Sequence, residues 1–147
     1  MIQVPVLIAG GGPVGLTLSL VLARQGVRCI VAERNPTTTR HPKMDLTNGR
    51  SMEIFRQLGV ADDLRKVGVP VESPFDITWI TSLAGHELCR FPYPSSAEGA
   101  ALRRRQNDGT LTCEAPMRVS QIVIEPALKS AAEAAEAVDT WFGWKVE

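Results

Sequence analysis

Gly10-Gly11-Gly12-Pro13-Val14-Gly15 and Glu33 are the residues of this 147-residue chain whose types and spacing could do chemistry. The first six satisfy G-x-G-x-x-G, and Glu33 follows 18 residues after Gly15. That arrangement would hold a dinucleotide. Gly10 would make a tight turn, Gly12 would let backbone approach a pyrophosphate, and Gly15 would let the next helix pack close to the preceding strand. The helix N-terminus would offer unpaired N–H groups and partial positive charge to the phosphates. The Glu33 carboxylate would accept from a ribose hydroxyl, which disfavours a 2′-phosphate there, although Arg34 lies alongside. The plainer alternative is a glycine-rich turn in an ordinary α/β domain, with Glu33 as a solvated strand end.

The neighbouring residues supply the elements this chemistry needs. "VPVLIAG", Val4 to Gly10, reads as a short buried strand. "LTLSLVLARQG", Leu16 to Gly26, reads as a helix, with Pro13 suited to a first helical position and Gly26 to the position past the end. "VRCIVAER", Val27 to Arg34, is a second strand that closes on the acid. Strand, glycine turn, helix, strand and acid therefore occur in the order that the binding motif requires.

Further along, the polar stretch Asn35–Pro42 is expected as a loop, because Pro36 and Pro42 forbid a regular helix. Thr47–Gly59 reads as a helix with Met52, Phe55 and Leu58 on one side and Ile54 beside them. Ala61–Gly68 reads as a short helix with acids in its first turn and bases near its end. Phe75–Phe91 reads as a hairpin turning near Gly85, and Pro92–Thr110 as a long polar loop. The run Arg103-Arg104-Arg105 in that loop is read as a solvated face rather than a phosphate site. Arg118–Ala137 reads as a helix with Ser120 as N-cap, an apolar side of Val119, Ile122, Val123, Ala127, Ala131 and Ala134, and a kink at Pro126. The segment from Val138 reads as a closing strand.

Composition narrows the classes. Lys plus Arg and Asp plus Glu both total 16, so the formal net charge is zero and no global field draws the chain to nucleic acid or an anionic membrane. Hydrophobic residues make up 44%, enough for a core. The N-terminal apolar run is interrupted by Gly-Gly-Gly-Pro and lacks a basic leader, so it is read as neither signal peptide nor membrane span. Cys29, Cys89 and Cys113 have no disulfide or metal-ligand spacing, which fits a cytoplasmic protein. His41 and His86 are isolated, no metal site is expected, and no nucleophile–base pair or carboxylate pair presents a catalytic case.

Three stretches together carry a resemblance: "VLIAGGGPVGLTLSLVLARQGVRCIVAER", "RHPKMDLTNGRSMEIFRQLGV" and "RVSQIVIEPALK". In them the chain resembles the FAD-dependent aromatic hydroxylases, single-component flavoprotein monooxygenases of the phenol hydroxylase and para-hydroxybenzoate hydroxylase type. The resemblance implies an α/β, Rossmann-like FAD-binding βαβ fold, incomplete here, with the start of a β-rich substrate-domain insertion. Its divisions would be residues 1–70 for the βαβ region, 71–115 for the start of the substrate domain, and 116–147 for the helix and strand that return to the FAD domain. Gly10, Gly12, Val14 and Gly15 would face the FAD pyrophosphate, and Glu33 and Arg34 the adenosine ribose. Lys43 stands where the family commonly has arginine and offers a point charge instead of a fork. Arg118 and Gln121 match the pair that reaches the FAD from the third helix.

The implied activity is hydroxylation of a small aromatic substrate with NAD(P)H and O2. The flavin carries the chemistry, and the protein supplies binding, orientation and exclusion of water. The family's later Asp-Gly and Gly-Asp motifs do not occur in these 147 residues, so the chain is expected to be an N-terminal portion, inactive alone. Faces made to meet the rest of such an enzyme would favour self-association, so a homo-oligomer is a possible state. Two other readings stay open from the residues: a stand-alone dinucleotide-binding module, and a non-catalytic interaction domain.

Overall fold

The computed structural model describes residues 3–147. Its framework is a three-stranded parallel sheet of β1 (Val6–Ala9), β2 (Cys29–Glu33) and β7 (Val138–Phe142), in the order β1-β2-β7. Ile8 pairs with Val31, and Val31 with Thr140. The central strand β2 is flanked on both edges, and Cys29 through Ala32 are buried. A strand covered on both faces must be a continuous apolar run, and "CIVA" is one.

Two helices supply the cover. Helix α1 (Pro13–Arg24) enters directly from the glycine turn, with Pro13 in its first turn as the sequence suggests. Helix α5 (Gln121–Ala134) packs against α1 and leads into β7. Leu16, Leu20, Val31, Ile124, Leu128, Ala132 and Val138 form the centre of the core. Helices α2 (Gly49–Gln57) and α3 (Ala61–Val67) extend it with Met52, Phe55 and Leu64. A two-residue strand β3 (Leu46–Thr47) pairs antiparallel with β6 (Met117–Arg118), which ties the segment before α2 to the segment before α5. Among the described residues no helix is long and apolar enough to cross a membrane.

Three sequence expectations are corrected. Residues 92–110 are not one loop, because Ser96–Gln106 form a helix, α4. Ser95 caps it: its hydroxyl accepts from the Glu98 N–H at 3.2 Å, and the Glu98 carboxylate accepts from the Ser95 N–H at 2.8 Å. The helix has no apolar stripe, so periodicity was silent. It docks through the small residues Ser96 and Gly99, with Ser96 Oγ donating to the Pro116 carbonyl at 2.6 Å. Within it Arg103 folds back, donating to the carbonyls of Gly99 and Thr112 at 2.9 Å each, whereas Arg104 and Arg105 are exposed.

The second correction is that α5 starts at Gln121, because Arg118 is held in extended pairing with Leu46 and Val119 N–H donates to the Asp45 carbonyl. Ser120 is the N-cap by position, without a side-chain capping bond. The helix continues unbroken through Pro126, which is exposed. The third concerns its buried face, which is Gln121, Ile124, Glu125, Leu128 and Ala132. Ile122 and Ala134, expected inside, are exposed, while Val123, Ala127 and Ala131 are partly buried at the margin.

The hairpin forms as expected from β4 (Ile77–Ile80) and β5 (Glu87–Phe91), with Trp79 edge-on to Phe91 at 5.2 Å. It stands away from the core, and every residue of β5 is exposed.

The capping geometry yields a test. Ser95→Ala removes the buried acceptor that starts α4 and is expected to cost about 1 kcal/mol. A urea titration should show the lower midpoint, with amide exchange accelerated first at Glu98.

Candidate functional site

Strand β1 ends at Ala9, and Gly10 turns the chain with φ +114°, a conformation that side chains rarely tolerate. Its N–H donates to the Ala32 carbonyl at 2.8 Å, which keeps the turn anchored to β2. Helix α1 then passes so close to the turn that a Cβ on Gly15 would overlap the Gly10 carbonyl oxygen and meet Ile8 Cγ2 at 3.2 Å. Gly12 differs. A Cβ there would meet nothing nearer than Glu125 Oε1 at 3.9 Å. The protein leaves that space open, as an approaching diphosphate requires. Pro13 has no N–H, so Gly12, Val14 and Gly15 carry the unpaired donors of the helix start. Val14 is 83% exposed, and its side chain points away from any packing.

Glu33 holds the turn from the other side. Its Oε2 accepts from Gly11 N–H at 2.8 Å, and its Oε1 accepts from the N–H and Nδ2 of Asn35 at 2.9 and 2.7 Å. A Cβ on Gly11 would collide with Glu33 Cβ and Phe142 Cζ, each at 2.9 Å, so this glycine is needed for the approach to Glu33. A carboxylate has about four acceptor directions. Three are used, and Oε2 keeps one free. Partial burial pushes the Glu33 pKa up, but the Asn35 and Gly11 N–H donors, the Asn35 amide and the Arg34 charge outweigh it. The net position is below the usual glutamate value.

These groups line a cleft of about 240 Å³. One wall is Gly11, Gly12, Glu33, Arg34 and Asn35. The segment after β2 adds Thr37, Thr38, Thr39 and Lys43, and α5 and β7 add Gln121, Glu125 and Phe142. Gln121 and Glu125 lie one helical turn apart and are both buried. Of the residues singled out by sequence, the cleft gathers Gly12, Glu33, Arg34, Lys43 and Gln121. Gly10 and Gly15 shape the turn from behind, and Val14 sits on the helix start outside the lining. Arg118 does not join them. Its guanidinium lies over the Phe75 ring at 5.5 Å, and its Nε is buried without a partner.

Sequence reasoning missed Gly11, Asn35, Thr39, Glu125 and Phe142. The signal for Glu125 was its spacing from Gln121, four residues apart beside the buried Ile124. A larger cleft of about 580 Å³ lies between α4 and residues 107–117. It shares no lining residue with the cleft at the glycine turn; Arg65 pairs with Asp62 and Glu114 and Arg103 with backbone, while Arg104 is exposed at its edge.

The fold and turn define a dinucleotide-binding module, and comparison with known proteins gives its family. The family model described as "FAD binding domain" matches residues 3–147, and the chain belongs to that family. FAD is the cofactor of this class. The "FAD-dependent monooxygenase apdD" of Emericella nidulans is 47% identical over 143 residues, covering 97% of this chain and 23% of the relative. The "Phenol 2-monooxygenase" of Pseudomonas sp. (strain EST1001) is 30% identical over 128 residues, covering 87% of this chain and 20% of the relative. The crystal structure of the flavin-dependent monooxygenase PieE, in complex with FAD and substrate, superposes with a TM-score of 0.79 at 33% identity, over 97% of this chain and 24% of that one. The chain thus spans about a quarter of the length of these relatives.

The hydrogen bonds to Glu33 set the sign of a pH effect. A carboxyl whose folded pKa is lowered stabilises the fold fully above its unfolded value, about 4.3. That contribution is lost as pH falls through the lower, folded value. Urea midpoints of the wild type and of Glu33→Gln should therefore differ at pH 6, and the difference should shrink as pH falls below about 4.3. A difference that is constant over this range would contradict the assignment.

Proposed function

We propose that this chain holds the FAD of a flavoprotein monooxygenase that hydroxylates aromatic substrates with NAD(P)H and O2. The observation that carries the cofactor part is the open space at Gly12, where the motif needs backbone to face a diphosphate. Gly12, Val14 and Gly15 would present N–H groups to the phosphates, helped by the dipole of α1. Glu33 would accept from the adenosine ribose through its remaining lone pair while it braces Gly11. Arg34 and Lys43 would offset phosphate charge at the rim, and Gln121 would contribute its free amide N–H from α5. Arg118 is assigned a place nearer the flavin end, beside Phe75. When bound, FAD supplies the redox chemistry, accepting hydride from NAD(P)H and activating oxygen; the protein's part is to bind, orient and exclude water. The relatives named for phenol and dichlorophenol oxidation support an aromatic substrate. We assign residues 71–115 to the start of the substrate-covering region and residues 1–70 and 116–147 to the FAD-binding region.

Two variants test the cofactor site. Gly12→Val should abolish retention of FAD in equilibrium dialysis while the circular dichroism spectrum stays that of the wild type, since Gly12 has ordinary extended backbone and a Cβ there meets nothing nearer than Glu125 Oε1 at 3.9 Å. Wild type should retain FAD in preference to NADP. Gly15→Val should instead unfold the chain, because its side chain would have to displace the Gly10 backbone. Intact FAD binding by Gly12→Val would sink the assignment.

The catalytic part predicts a partial reaction. Every residue of β5 is exposed, so among the described residues the hairpin does not enclose an aromatic ring. With FAD, NADPH and a panel of phenols, the 147-residue chain should at most consume NADPH and release hydrogen peroxide. Hydroxylated product in proportion to NADPH consumed would show that the enclosure is complete in this chain.

A further inference from the structure

We infer that Glu125 is a positioning residue for FAD: it dictates the amide orientation of Gln121 and, with it, pins residues 39–43 at the cleft of the glycine turn. This rests on the reading of the cleft as the FAD site. The hydrogen bonds form one continuous series. Thr39 N–H donates to Glu125 Oε2 at 2.7 Å, Gln121 Nε2 donates to Glu125 Oε1 at 2.6 Å, and Lys43 N–H donates to Gln121 Oε1 at 2.7 Å. Both ends of the series are backbone N–H groups, which can only donate. Both side chains between them are buried, Glu125 at 4% and Gln121 at 7% exposure, so water is poorly placed to repair a broken link.

The order of the two side chains is what makes the series consistent. A carboxylate at position 125 accepts on both sides, so the Gln121 amide must turn its NH2 towards it and its oxygen towards Lys43. An amide at position 125 would have a single oxygen. If that oxygen faced Thr39, its NH2 would face position 121. Gln121 would then have to present its oxygen inward and its NH2 to the Lys43 N–H. With each oxygen facing one neighbour, as in the observed series, every arrangement of two amides sets one donor against another. The segment held this way carries Thr39 and Lys43, which line the same cleft as Gly12. Glu125 Oε1 is also the atom nearest to the open space at Gly12.

Charge and position predict opposite signs. Neutralising a carboxylate beside a bound diphosphate would tighten binding by Coulomb's law. Releasing the segment that carries Thr39 and Lys43 would weaken it, and the geometry points to the second effect as the larger. Glu125→Gln should lower FAD affinity at least tenfold in equilibrium dialysis. It should also speed amide exchange at Thr39 and Lys43 in NMR spectra, with the amides of β1 and β2 unchanged. The exchanged pair Gln121→Glu with Glu125→Gln keeps the net charge and restores every donor to an acceptor. The carboxylate at 121 would then accept from Lys43 N–H and from the amide at 125, whose oxygen accepts from Thr39 N–H. This double variant should recover amide protection at Thr39 and Lys43 and bind FAD more tightly than either Glu125→Gln or Gln121→Glu alone.

Unchanged or tighter FAD binding by Glu125→Gln overturns the inference. So does a double variant that regains amide protection yet binds FAD no better than either single variant, because affinity would then not depend on how the segment is held. If Glu125→Gln fails to fold, the double variant decides against Gln121→Glu: recovery of the fold with tighter FAD binding than Gln121→Glu alone supports the inference, and failure of either overturns it. Wild type that retains no FAD would instead defeat the reading of the cleft, while amide exchange at Thr39 and Lys43 would still test the hydrogen-bond series.

Discussion

The approach of α1 to the end of β1 is the constraint on which the rest depends. The Gly10 carbonyl oxygen occupies the volume in which any side chain at position 15 would have to sit. With that volume empty, the helix starts immediately beyond the strand, and Leu16 and Leu20 reach the core against β2. The same closeness leaves a three-glycine turn with no room to relax inward: Gly10 N–H is taken by Ala32 and Gly11 N–H by Glu33, and Gly12 N–H is left at the helix start. Turn, core and binding surface are thus consequences of one backbone contact.

A turn of that kind is poorly held by its own residues, because glycine contributes no side-chain packing and loses much entropy on ordering. The holding groups come from elsewhere. Glu33, at the end of the neighbouring strand, fixes Gly11 through a charge-assisted hydrogen bond. Phe142, at the end of the third strand, closes over the same glycine. From α5, Gln121 and Glu125 reach across to the segment after β2 and hold it at the cleft. All three strand ends and two helices meet at this spot. That is where a parallel sheet with an ordered set of crossovers places its ligands.

The hairpin and α4 obey different physics. Ile77, Trp79, Leu88, Phe91 and Tyr93 are all substantially exposed, and the two strands have only each other. A two-stranded ribbon of this kind is marginal by itself, in contrast to the sheet carrying the cleft. Helix α4 also lacks an apolar stripe, and it is held by its cap and by polar bonds to residues 112–116. The stable part of the molecule is therefore the part that carries the glycine turn.

The parallel sheet, α1, the glycine turn and the acid at the end of β2 were legible in the residues, because each depends on local pattern: an apolar run, a spacing of glycines, a proline in the first turn, a charge at a strand end. The resemblance to the family followed from this region together with Arg40–Val60 and Arg118–Lys129. The register of β7 beside β2, the pairing of β3 with β6 and the placement of Arg118 over Phe75 depend on residues far apart in the chain, and tertiary packing decided them. Helix α4 was lost to periodicity because a helix docked by serine and glycine has no hydrophobic signature. The buried face of α5 was assigned to the wrong side for a related reason. Gln121 and Glu125 are polar, and only the backbone N–H groups of a distant loop make it favourable to bury them.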